Sequence, residues 1–188
     1  TRGGHRGGFV NFQPFFSLRA GKTRIPRYYN NPITQSEKQR DWRKFIMTMF
    51  DSFHPGELWP DDRGTHINAH GGCLLRHGGR IYWYGEHKVA GRAGNLAQVG
   101  VHVYVSEDFY NWRDAGIAFD VRNSGDPLLR PGCVIERPKV LFCPGTGRFV
   151  MYFHFEKDDT YQDAAVGIAV ADSPAGPFRF LRMTRPNP

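Results

Sequence analysis

The polar residues with most chemical promise lie at the two ends of one stretch, THINAHGGCLLRHGGRIYWYGEHK, residues 65–88. Asn68 and His70 precede an apolar run at Cys73–Leu75, and Glu86 and His87 follow a second run at Ile81–Tyr84. A short polar turn, His77-Gly78-Gly79, joins the two runs. In adjacent antiparallel strands the start of the first and the end of the second share one edge of the sheet. That order alone gathers Asn68, His70, Glu86 and His87 on one rim. Further along, Glu136 opens a strand-like run, VIERPKVLF, and His154 closes the next, RFVMYFHF. Carboxylates so placed can accept hydrogen bonds from a bound ligand.

Other groupings carry less chemistry. His66 and His70 have HxxxH spacing, but a zinc pair at that spacing needs a helix, and Gly71-Gly72 argue against one. Three cysteines with no CxxC give neither a disulfide scaffold nor a structural zinc site. No metal and no cofactor is expected. Asp61 and Asp62 sit in a turn-rich lead-in and are read as turn residues; Trp83 is read as core. Glu136, followed by Arg137 and Lys139, also fits a plain ion-pair cluster, and His70 a histidine bonded to backbone.

The elements that must position these groups are strands. The chain of 188 residues is 14% aromatic and holds 22 Gly and 13 Pro, which suits short strands and turns. Alternating and apolar runs place four strands near 69–76, 80–86, 99–106 and 112–119. Four more follow at 134–142, 148–155, 165–171 and 177–183. The two sets repeat: Arg80 aligns with Arg148, 68 residues on, and Ser106 with Asp172 and Trp112 with Phe178, each 66 on. A four-stranded unit recurring at this spacing is the mark of propeller blades. Two blades cannot close a ring, so the expectation is the N-terminal part of a longer protein, or a truncated relative of one.

Residues 1–50 differ in character. Ten basic and two acidic residues up to Lys44 give +8, so the remainder carries −1 against the total of +7. Two RGG-like steps could bind RNA by charge and stacking, but a leader, linker or packing arm is preferred, and nucleic acid is not the expected partner. Over residues 34–50, Trp42, Phe45, Ile46, Met49 and Phe50 fall on one face of a helix, with Thr34 and Glu37 as a capping box. No apolar run is long enough for a transmembrane helix, and no membrane partner is expected. The chain begins at Thr1, so the lack of a visible signal peptide says little about compartment.

Five segments in order, INAHGGCLLRHGGRIYWYGEHK, VYVSEDFYNW, ERPKVLF, FVMYFHF and VGIAVADSPAGPF, resemble glycoside hydrolase family 43, most closely its exo-β-1,3-galactanase branch. The resemblance covers about 65–182. It implies an all-β, five-bladed β-propeller, represented by blade one (65–120) and blade two (133–184) within a domain at 51–188, behind an arm and helix at 1–50. It also implies inverting hydrolysis of terminal β-1,3-linked galactose, in which an acid and a base stand roughly 6.5–9.5 Å apart. In typical members an Asp opening the first inner strand is the base. Here that place reads Asn68-Ala69-His70, as it does in the galactanase branch, and the acid lies in later blades. By position, Glu136 matches a pocket glutamate and is taken as the catalytic-site carboxylate. Asn68, His70, Tyr84, Glu86 and His154 are taken as substrate-binding. A β-galactoside or related plant polysaccharide is the expected partner, with an extracellular or periplasmic setting favoured by such a substrate. The alternatives are a non-catalytic carbohydrate-binding or inactive fragment and, further off, an RNA-associated protein acting through the arm.

Overall fold

A computed structural model describes residues 49–186. The basic arm and the helix expected over 34–50 fall outside the described residues, apart from Met49 and Phe50, which are not helical. Eight strands follow: β1 (His70–His77), β2 (Arg80–Lys88), β3 (Gln98–Ser106), β4 (Arg113–Asp120), β5 (Val134–Cys143), β6 (Arg148–Glu156), β7 (Ala165–Ala171) and β8 (Arg179–Thr184). They form two antiparallel four-stranded meanders, ordered β1-β2-β3-β4 and β5-β6-β7-β8. The boundaries lie within two residues of those read from the alternation.

Period-two alternation explains how the sheets pack. One face of β2 carries Tyr82 and Tyr84, which join Val101, Val103 and Phe119 in a core shared with Val140, Phe149, Met151 and Phe153 of the second sheet. The opposite face carries Ile81 and Trp83, which pack with Tyr104 and Trp112 under Trp59, Ile67 and Ala69. Each large side chain sealed in these layers contributes roughly 1.5–3 kcal/mol relative to exposure.

Hydrogen bonds stitch the seam between the sheets. The Tyr84 hydroxyl donates to Pro174 O at 2.6 Å, and Phe178 N–H donates to Ala118 O at 2.7 Å. Val140 N–H donates to Cys73 Sγ at 3.3 Å, and Gln98 Nε2 to Cys133 O at 2.8 Å. All three cysteines are free thiols. Burial raises the pKa of Cys73 and Cys133, which suits structural roles.

A strap over residues 59–69 covers the far face of the first sheet. Asp61 Oδ1 accepts the backbone N–H groups of Arg63 and Thr65, both at 2.9 Å, and so closes the turn expected there. Asp62 accepts the Asp114 N–H at 2.8 Å. The strap crosses β2 at Gly85, where a Cβ atom would lie 2.4 Å from Ala69 Cα and closer still to its carbonyl carbon. Only glycine lets the two backbones meet so closely.

Candidate functional site

In each sheet's leading hairpin, the register pair beside the bulge joins a histidine to a glutamate. His70 pairs with Glu86 across β1 and β2, and Glu136 pairs with His154 across β5 and β6. The order of the two residue types is reversed between the sheets. Both hairpins break register just beyond, between His70 and Cys73 and between Glu136 and Lys139. These bulges re-aim the strand ends, as bulges beside sites commonly do.

Glu86 is buried, at 5% exposure, and links the sheets. Its Oε1 accepts the Arg137 N–H at 3.0 Å, and its Oε2 pairs with Lys88 Nζ at 2.9 Å. Glu136, at 6% exposure, is held differently. Its Oε1 accepts the Tyr161 hydroxyl at 2.6 Å. Its Oε2 is sealed from solvent and accepts no hydrogen bond among the described residues. His154 Nδ1 and the Arg137 guanidinium each stand 3.6 Å from that oxygen, close enough for charge attraction but not for a good hydrogen bond. His154 Nε2 meets Glu156 Oε1 at 2.8 Å, and Glu156 Oε2 accepts the Asp163 N–H at 3.0 Å.

Two loops overhang this rim. Asn95, between β2 and β3, donates from Nδ2 to the Tyr161 hydroxyl at 2.7 Å, and Lys88 Nζ reaches Asn95 Oδ1 at 3.4 Å. Tyr161, between β6 and β7, takes a left-handed backbone with φ 56°. Its hydrogen bond to Glu136, then burial, hold its phenol above the usual tyrosine range. Lys88, Glu86, Arg137, Glu136, Tyr161 and Asn95 therefore form one continuous polar circuit across both sheets.

Of the six residues singled out in the sequence, the structure brings His70, Glu86, Glu136 and His154 to this rim. Tyr84 is not at the rim. It shares the Glu86 face of β2 but lies one step deeper, fully buried, with its hydroxyl committed to Pro174 O. Asn68 is near the rim, but its amide is already used: Nδ2 donates to Lys88 O at 2.6 Å and Oδ1 accepts the Lys88 N–H at 2.9 Å. It splints the end of β2 in place of a strand partner. Sequence reasoning missed Tyr161 and Asn95, which lie in loops without periodicity; the one signal was a lone aromatic in the polar run KDDTYQD. Among the described residues no group of three or more His, Cys, Asp or Glu side chains could hold a metal ion, and no helix is long and apolar enough to cross a membrane.

Two four-stranded meanders thus each hold a buried carboxylate, Glu86 or Glu136, at one shared rim. Comparison with known proteins makes this specific. The chain is similar to family 43 glycoside hydrolases of the exo-β-1,3-galactanase branch. It is 44% identical to a family 43 β-1,3-galactosidase solved with galactodeoxynojirimycin, with a TM-score of 0.64 over 71% of this chain and 38% of that one. It is 41% identical to an exo-β-1,3-galactanase from Clostridium thermocellum, with a TM-score of 0.60 over 70% of this chain and 27% of that one. The corresponding figures for an exo-β-1,3-galactanase from Phanerochaete chrysosporium, solved with galactose, are 34%, 0.63, 70% and 29%. Among curated proteins, a xylosidase/arabinosidase from Thermoclostridium stercorarium is 31% identical over 109 residues, 57% of this chain and 21% of that protein. The chain thus spans well under half the length of these relatives. No family profile matches it.

Proposed function

We infer that this chain supplies two blades, 65–120 and 133–184, of a five-bladed propeller at 51–188 and beyond, and that the protein containing it releases terminal β-1,3-linked galactose with inversion. The observation that carries the reading is the Glu136 carboxylate. One oxygen is anchored by Tyr161, and the other is buried without a donor. A buried carboxylate oxygen left without a donor costs at least roughly 1–3 kcal/mol. With the exposed Arg137 side chain swung aside from Oε2, a sugar hydroxyl docked against Glu136 supplies that donor. His70 and His154 flank it as further hydroxyl partners, and Glu86 holds the two sheets in register around it. The similarity to galactosidases and galactanases supports a β-galactoside as the ligand, and such a polymer fits an extracellular or periplasmic setting.

These two sheets recognise the sugar rather than move the proton. The place that would carry a base in typical family members reads Asn68-Ala69-His70, without a carboxylate, and the Asn68 amide is spent on the Lys88 backbone. This geometry also favours the second reading, a carbohydrate-binding protein without catalysis.

The test is product analysis on the native-length protein with β-1,3-galactan, xylan and arabinan. Galactose released from the first, appearing initially as the α-anomer by proton NMR, is the expected result. Initial release of the β-anomer would overturn inversion, and hydrolysis of xylan or arabinan instead would overturn the substrate. Tight binding of galactan without release would establish the second reading.

A further inference from the structure

On the face of the first sheet away from Glu136, three titratable side chains form a line that the reading above does not use. His87 Nδ1 lies 2.8 Å from His102 Nδ1, and His102 Nε2 lies 2.6 Å from Asp114 Oδ1. The imidazole of Tyr104's neighbour His102 is stacked on the Tyr104 ring, centroids 4.2 Å apart. The strap holds the far end of the line. Arg63 pairs with Asp114 Oδ2 at 3.0 Å, and Asp62 accepts the Asp114 N–H. His87, half-buried, ends the line between the rim residues Glu86 and Lys88. The ring is half-exposed, and its Nε2 has no hydrogen-bond partner among the described residues.

Hydrogen-bond logic fixes the tautomers. Asp114 is held ionised: burial pushes its pKa up, but the His102 hydrogen bond and other donors outweigh this. An ionised carboxylate only accepts, so His102 Nε2 carries a proton. Nδ1 of a neutral His102 is then an acceptor, and His87 must donate to it from its own Nδ1. The Tyr104 hydroxyl, 3.3 Å from the same nitrogen, takes the Asn68 N–H on its oxygen at 3.1 Å, leaving its hydrogen free to point at His102. The remaining nitrogen, His87 Nε2, is therefore a bare acceptor.

We propose that Asp114, His102 and His87 form a proton relay that sets the hydrogen-bonding sense of His87 Nε2: acceptor while the pair is neutral, donor once the pair has taken up one proton. The proton enters at Nε2 of His87. The Nδ1 proton of His87 passes to Nδ1 of His102, and the positive charge rests on His102 beside the Asp114 carboxylate. A second proton is resisted, because both imidazoles would then be cationic and both Nδ1 atoms would be donors. Other groups around the line are His70 on β1, Lys88 on β2, and Asp61 with Arg63 on the strap. A ligand hydroxyl can meet either state of Nε2, whereas a ligand carboxylate meets only the protonated one. The relay does not depend on the galactanase reading.

The experiment is long-range proton–nitrogen NMR on native-length protein carrying nitrogen-15 histidine, titrated between roughly pH 8 and pH 5. At the upper end His87 is expected as the Nδ1–H tautomer and His102 as the Nε2–H tautomer. On acidification His102 becomes the imidazolium while His87 switches to Nε2–H, in one coupled step with one proton taken up. In H102Q the store is gone, and on acidification His87 itself becomes the imidazolium. His87 found as Nε2–H at the upper end, or His87 itself becoming the imidazolium in the wild-type protein, would overturn the proposal. Because the wild-type spectra already decide the matter, a variant that fails to fold does not shelter it.

Discussion

Gly71 and Arg137 occupy the same place in the two leading bulges, 66 residues apart, and both have left-handed backbones, with φ 55° and 50°. At Gly71 a Cβ atom would lie 2.6 Å from Glu86 Oε1, the oxygen that accepts the Arg137 N–H. The first sheet thus leaves a gap into which its own glutamate reaches, to hold the other sheet. The second sheet has no such need at Arg137, where a side chain is tolerated at a backbone cost of about 1–2 kcal/mol.

Gly71→Ala should therefore destabilise the protein by more than about 2 kcal/mol, from left-handed strain and the displaced Glu86 hydrogen bond. Arg137→Gly should hold or gain up to about 1 kcal/mol. Urea unfolding of both variants checks the pair. Equal midpoints for Gly71→Ala and wild type would show that the seam does not run through Glu86.

Glu136→Gln keeps shape and removes charge. If Glu136 Oε2 takes a sugar hydroxyl, galactose release should fall about 10- to 100-fold, the worth of one hydrogen bond to a charged group. The melting temperature should move little, since the amide can still accept from Tyr161. Wild-type turnover in this variant would take Glu136 out of the site.

Tyr161→Phe strips Glu136 of its one good donor among the described residues and Asn95 of an acceptor. A loss of about 1–2 kcal/mol in denaturant unfolding is expected. The wild-type contribution also has a pH signature. The phenol's folded pKa is raised, first by the Glu136 hydrogen bond, so the contribution is whole below the ordinary value of about 10 and fades as pH climbs through the raised one. The variant should lack this alkaline limb; an identical limb in both proteins would assign it elsewhere.

At the opposite end of the first sheet, Asp108 knots the β3–β4 turn. Burial alone would raise its pKa, but N–H donors from Asn111 and Tyr110, with the Asn111 and Ser106 side chains, bring it down to about 2. Its contribution is present above the unfolded value of about 4 and disappears as pH falls toward 2. Thermal unfolding from pH 6 to pH 2 should show a shallower acid decline in Asp108→Ala than in wild type. Parallel curves would count against this carboxylate.

The strands were legible because apolar alternation and glycine-proline turns act over four to eight residues, a scale the sequence displays directly. The gathering of His70 and Glu86 at one rim followed from strand order alone; their pairing across the strands did not. What stayed hidden depends on depth and on loops. Tyr84 and Glu86 have the same parity, so alternation puts them on one face but cannot say that two residues' travel separates core from rim. Asn68 has the chemistry of a ligand contact, and only the position of the Lys88 backbone reveals it as a splint. Tyr161 reaches Glu136 through a left-handed turn in a polar loop, where no period exists to read.

The repeat in the sequence invites the view that each sheet is a module. The shared core argues otherwise. Tyr84 and Val103 from one sheet and Met151 and Phe153 from the other lie in a single buried layer, and the turn before β8 is pinned to β4 by Phe178. Cut between the sheets, in the loop near 121–133, the chain would bare both halves of that layer at once. The repeat is one sheet but the packed unit is two, so transplanting, permuting or trimming this protein should respect the seam and not the repeat.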